Sequence, residues 1–132
     1  MITGIVTADR EAVIRLVVNG PSGQGHEIEA VIDTGFDGWL SLPPSIISGL
    51  NLPWRRRGLA LLADGSESVF DIYEATVHWH KQARRIAVDS ADTAALVGMA
   101  LLEGCELKMQ VRAGGKLQIR PLAKRNLRNG RK

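Results

Sequence analysis

Ala30-Val31-Ile32-Asp33-Thr34-Gly35 is the segment of this 132-residue chain best placed to do chemistry. An alternating apolar strand, with Ile28, Ala30 and Ile32 on one face, runs directly into an acid, a hydroxyl and a glycine. A carboxylate at the end of an apolar strand is costly unless it is paired, hydrogen-bonded or protonated. Asp33 is therefore a candidate for proton chemistry. Thr34 can hydrogen-bond locally, and Gly35 lets the backbone turn sharply. An ordinary strand-end turn can also carry Asp-Thr-Gly, so these three residues alone decide little.

Two further segments follow in order. Ala63-Asp64-Gly65-Ser66 sits between two apolar runs, Gly58 to Ala63 and Ser68 to Tyr73, and Asp-Gly in that setting signals a hairpin. Ala95-Leu96-Val97-Gly98-Met99-Ala100-Leu101-Leu102 reads as a short strand reaching Gly98, then one or two helical turns over Met99 to Glu103. Around them, Glu11 to Val18 and His26 to Ile32 predict a hairpin across the turn-rich stretch 19 to 25. Leu42 to Leu50 predicts a short helix, with proline in its first turn and Gly49 at its end. Ala75 to His80 and Arg85 to Val88 flank a turn at Lys81-Gln82. Leu107 to Val111 and Lys116 to Arg120 flank Ala113-Gly114-Gly115. About eight or nine strands and two short helices result, and turn signals at this spacing suggest a closed or sandwich-like all-β domain.

In order and spacing these three segments resemble the retropepsin-like aspartic proteases over roughly residues 11 to 122. The extended form Val31-Ile32-Asp33-Thr34-Gly35-Phe36-Asp37-Gly38-Trp39-Leu40, with Leu42-Pro43, looks most like small prokaryotic members. The resemblance implies a closed β-barrel acid-protease fold that forms one lobe of a homodimer. It implies an aspartic endopeptidase with Asp33, Thr34 and Gly35 as the catalytic segment. Two carboxylates held close share one proton, one acting as base on a water while the other donates to the scissile carbonyl. Asp9, Asp37, Asp64, Asp71, Asp89 and Asp92 do not repeat the motif, so the second carboxylate is expected from a twofold partner. In the family the threonine hydrogen-bonds across that axis and the glycine offers its carbonyl to substrate, roles that fall by position on Thr34 and Gly35. A peptide or protein substrate would lie as an added strand against Phe36, Asp37, Val97 and Gly98, beneath a flap tipped by Ala63, Asp64, Gly65 and Ser66. Trp39 is either pocket wall or core. Retroviral members often carry an arginine after the second glycine, paired with an acid four residues after the catalytic aspartate. Met99 stands there, which leaves the role of Asp37 open, and Ala100 departs from the polar residue many relatives have.

Composition narrows the field. At 132 residues and 45% hydrophobic, the chain suits one core, expected over residues 1–123. The net charge of +3 is uneven. Lys124, Arg125, Arg128, Arg131 and Lys132 give residues 124–132 a charge of +5, so residues 1–123 sum to −2. The tail reads as a solvated, disordered end, with contact to nucleic acid or an acidic partner as the alternative. Arg55-Arg56-Arg57 after Trp54 reads as a solvated loop before it reads as a nucleic-acid contact. His78 and His80, two apart on an expected strand, share a face, yet no third ligand is spaced for zinc, so no metal and no cofactor are expected. Cys105 is the one cysteine, read as a structural thiol. No signal-peptide pattern opens the chain, and Ala94 to Leu102 is too short to span a bilayer, so a cytoplasmic protein away from membranes is expected. The rival functions are a catalytically silent dimerising or peptide-binding module and a nucleic-acid-associated protein working through the tail.

Overall fold

Side chains alternate in and out along most of this chain, and the structure, a computed structural model that describes residues 1–123, turns that alternation into one wrapped sheet. Ten strands form: β1 (Ile2–Val6), β2 (Ala12–Asn19), β3 (Gly25–Ile32), β4 (Leu40–Leu42), β5 (Trp54–Leu61), β6 (Glu67–Trp79), β7 (Gln82–Ser90), β8 (Leu96–Val97), β9 (Cys105–Met109) and β10 (Lys116–Pro121). Two short helices interrupt them, α1 (Pro44–Gly49) and α2 (Met99–Leu102). The expected tail, 124–132, lies outside the described residues.

The strands run in the order β5-β6-β7-β4-β8-β3-β2-β1-β10-β9. A further pairing of β2 with β6, Val18 opposite Val77 and Asn19 opposite Thr76, brings the run from β6 to β2 back on itself. β5 and β9 remain as edges. The predicted hairpin pairs in register, with Ile14 opposite Ala30 and Leu16 opposite Ile28, all four buried. Leu40, Leu42, Val77, Val88, Val97, Leu101, Leu117 and Ile119 complete the core, each inaccessible to solvent. Burying a side chain of this size contributes about 1.5–3 kcal/mol, which is what holds strands as short as β4 and β8 in place.

Several boundaries differ from expectation. The two strands predicted either side of Glu74 are one 13-residue strand, β6. The β6–β7 turn falls on His80 and Lys81, both left-handed (φ 50° and 65°), one residue earlier than predicted and in the manner of a two-residue I′ turn. Gly49 is still helical, and the left-handed residue that ends α1 is Asn51 (φ 53°). Trp54 to Arg57 is not a loop but the start of edge strand β5. Among the described residues no helix is long and apolar enough to cross a membrane.

Candidate active site

The Asp33 loop is held by a two-residue strand inserted between two longer paths. β8 pairs parallel with β3, Ile32 opposite Val97, and antiparallel with β4, Leu40 opposite Val97. The chain leaves β3 at Asp33 and must return on the other side of β8, so residues 33–39 arch over Gly98. Backbone bonds fix the arch. The Asp33 N–H donates to the Val97 carbonyl (2.9 Å), Gly98 N–H to Trp39 (3.1 Å), Met99 N–H to Phe36 (2.8 Å) and Ala100 N–H to Gly38 (3.1 Å). Gly98 has to be glycine for space: a Cβ there would stand 2.1 Å from the Gly38 carbonyl oxygen. Val97 is wholly buried, so what it lends to the site is that carbonyl and the packing beneath it.

Asp33 itself is partly exposed. Its Oδ1 accepts the Gly35 N–H (2.9 Å), and its carbonyl accepts the Phe36 N–H (3.1 Å), so the turn aims the carboxylate and the side chain does not close it off. Asp33, Gly35, Phe36 and Asp37 line a cleft of about 810 Å³. Leu59 to Leu61 of β5 and Ser68 to Phe70 of β6 form another wall. The Phe70 ring lies where a side chain on Gly58 would have to go. Ala63, Asp64, Gly65 and Ser66 are not on that wall. They form the tip of the β5–β6 hairpin, where Leu62 N–H donates to Ser66 (2.8 Å) and Asp64 Oδ1 accepts both the Ser66 hydroxyl (2.6 Å) and its N–H (2.9 Å). Those bonds hold the Asp64 carboxyl below its ordinary range, and Gly65 takes the left-handed backbone (φ 86°) that such a tip needs.

Thr34 turns away from the cleft. It lines a separate depression of about 540 Å³ with Asp37, Met99, Ala100, Cys105 and Leu107. Asp37 borders both spaces. Asp89, at the end of β7, is a cleft residue that sequence pattern does not mark. Burial pushes its carboxyl up, the charge of Asp37 pushes it further, and Arg56 partly offsets this. The signal available was an acid in an alternating strand, which by itself does not separate a cleft wall from a solvated face. Trp39 packs on the core with the Arg84 guanidinium 5.2 Å over its ring, so of the two aromatics only Phe36 lines the cleft.

The remaining candidates separate. His80 sits in the turn after β6, so it does not share a face with His78. His78 meets Asn19 (3.3 Å), while His80 Nε2 lies 3.5 Å from Cys105 Sγ. Among the described residues no three His, Cys, Asp or Glu side chains gather as a metal site. Arg55 is ion-paired with Glu74 (2.7 Å), and Trp54 Nε1 donates to Asp71 (3.0 Å), which ties this end of β5 to β6.

No protein-family model and no curated protein matches the chain. Among solved structures, a retropepsin-like aspartic protease from Rickettsia conorii matches with a TM-score of 0.57 and 16% identity, over 92% of this chain and 91% of that one. The fold is thus retropepsin-like, mostly β with two short helices.

Proposed function

We propose that this chain is one half of a homodimeric aspartic endopeptidase, completed when Asp33 of the partner subunit meets its own Asp33. The observation that carries the reading is the placing of Asp33. It is the one Asp-Thr-Gly aspartate of the chain, held by β3 and β8, and it lines a cleft of about 810 Å³. The likeness to an aspartic protease fold supports it, and so does the β5–β6 hairpin whose strands wall the cleft.

In this reading a peptide lies in the cleft as an added strand, bonded through its main chain, with the Gly35 carbonyl among its partners. Phe36, Asp37 and the wall above Val97 and Gly98 bound its side chains. The hairpin bends so that Ala63, Asp64, Gly65 and Ser66 close over it and exclude water. The two Asp33 carboxylates share one proton. The unprotonated one takes a proton from water as the water oxygen attacks the scissile carbonyl carbon, and the other gives its proton to the carbonyl oxygen. The resulting gem-diol collapses, a proton passes to the amide nitrogen and the C–N bond breaks. Thr34 steadies the paired loops from the depression side.

Peptide-library cleavage tests this. The wild-type protein is expected to cut peptides, and Asp33→Asn to lose that activity while keeping its mass in light scattering. Full activity in the Asp33→Asn protein would overturn the mechanism.

A further inference from the structure

The floor of the Asp33 cleft holds negative charge that its surroundings leave uncompensated. Ser41 of β4 stands opposite Leu96 of β8 and Asp89 of β7, and Asp89 stands opposite Ile72 of β6. Side chains paired in this way point to one face of a sheet, so Leu96, Ser41, Asp89 and Ile72 form a row across four strands. Leu96, Ser41 and Asp89 of that row line the cleft. Asp89 is half-buried there, with its Oδ2 3.4 Å from where a Cβ on Gly38 would stand. Asp37, the residue before Gly38, lines the same cleft. Burial first, and then the Asp37 charge, hold the Asp89 carboxyl up, and the pull of Arg56 is weaker than either. Met99, beside Asp37 in the neighbouring depression, brings no charge. Ser41 is the one buried polar residue among those described, 4% exposed. Among the described residues no side-chain hydrogen bond or ion pair engages Asp37, Asp89 or the Ser41 hydroxyl. A buried hydroxyl beside two unpaired carboxylates is a set of acceptors without a donor.

We infer that Asp37, Asp89 and Ser41 form a pocket for a cationic substrate side chain, so that the peptides this cleft takes carry an arginine or lysine close to the scissile bond. A guanidinium or ammonium group between the two carboxylates neutralises their mutual repulsion, and the Ser41 hydroxyl accepts one of its N–H groups. The stem lies along Phe36 and Leu96, because long basic side chains bury their methylenes and keep the charged head among polar groups. A metal ion does not suit the place, since among the described residues no three His, Cys, Asp or Glu side chains gather as a metal site. The proposed dimer repeats the pocket on each side of the dyad, so a basic residue on either side of the scissile bond satisfies it. That the ligand is a peptide rests on the peptidase reading, whereas the demand for a cation comes from the cleft.

Matched peptides test the pocket, identical except for Arg or Gln placed in turn at each position on both sides of the cut. At the position that reaches the pocket, the wild-type protein is expected to cleave the Arg peptide with a kcat/KM about tenfold higher, as a hydrogen-bonded charge pair implies. Asp89→Asn is expected to bring that ratio to about twofold or less. The ratio is read within one protein, so a general loss of activity or stability leaves it unmoved. Asp89→Lys is expected to invert the preference and favour a Glu peptide over the Arg peptide, which a merely structural role would not do. A wild-type ratio near one at every position, or an Arg preference that survives Asp89→Asn, would overturn the inference. If no peptide is cut, the peptidase reading fails, and binding of the same peptides, labelled with fluorescein, decides. About tenfold tighter binding of an Arg peptide, lost in Asp89→Asn, would keep the cation pocket, and equal binding of the Arg and Gln peptides, or none, would overturn it.

Discussion

Gly98→Ala probes the contact on which the Asp33 loop depends. The added methyl would sit 2.1 Å from the Gly38 carbonyl oxygen and 2.6 Å from a Phe36 ring carbon. Ordinary carbon–oxygen contact is about 3.3 Å, so the two backbones must part by about 1 Å. Overpacking of this kind costs about 1–3 kcal/mol. Parting the backbones also breaks the bonds from Gly98 to Trp39 and from Ala100 to Gly38, at about 1 kcal/mol each. The expected loss is therefore about 3–5 kcal/mol, a large share of the stability of a single domain. Urea unfolding at one fixed protomer concentration reads it as a fall in midpoint of about 2 M at unchanged slope. Gly49→Ala is the matched control. That glycine is helical, with nothing within 4 Å of an added methyl, so alanine is expected to stabilise by about 0.5–1 kcal/mol. A Gly98→Ala protein within about 0.5 kcal/mol of the parent would refute the close approach of the two backbones.

Asp89→Asn is expected to raise stability at neutral pH. Burial and Asp37 push the Asp89 carboxyl up, so its ionised form is the one folding disfavours, and the gain should disappear once acid protonates the group in both states. Urea midpoints at neutral pH and in acid check it. Glu74→Gln should do the reverse. Bonds from Arg55 and then Arg85 hold Glu74 down at about 2, so its contribution is full above the ordinary glutamate range and is lost as pH falls toward 2. The parent and the variant should therefore differ at neutral pH and converge at the acid end of a stability profile. The lone hairpin-tip glycine, Gly65, has open space around it but a left-handed backbone. Gly65→Val should stiffen and strain the tip, lowering kcat for peptides more than the unfolding midpoint.

The sequence disclosed the hairpins and the order of the segments more readily than the cleft. Ile28, Ala30 and Ile32 alternate ahead of Asp33, and Leu96-Val97-Gly98 is an apolar pair before a glycine, so strand β3 and its short partner β8 were legible. Periodicity does not show that β8 lies between β3 and β4, because Leu40-Ser41-Leu42 is three residues long and buried throughout, serine included. Ile2 to Val6 is hard to read as a strand for a similar reason: Thr3 and Gly4 blur its alternation, and pairing with β2 and β10 makes it one. Glu74 resembled a break between two strands, until Arg55 and Arg85, distant in the chain, held it within one. Asp33, Gly35, Phe36 and Asp37 share the cleft because they are neighbours on one loop. Asp89 joins them through the β4–β7 pairing, Ser41 opposite Asp89, which local spacing does not encode.

The most direct test of a dyad shared between two chains is a subunit-mixing titration. Wild-type and Asp33→Asn proteins are equilibrated at constant total concentration, and the initial rate of peptide cleavage is followed against the wild-type fraction. If each site needs Asp33 from both subunits, activity follows the square of that fraction, and an equal mixture retains about one quarter of the wild-type rate. A straight line, with about one half retained, would mean that each chain carries a complete site of its own and would contradict the account.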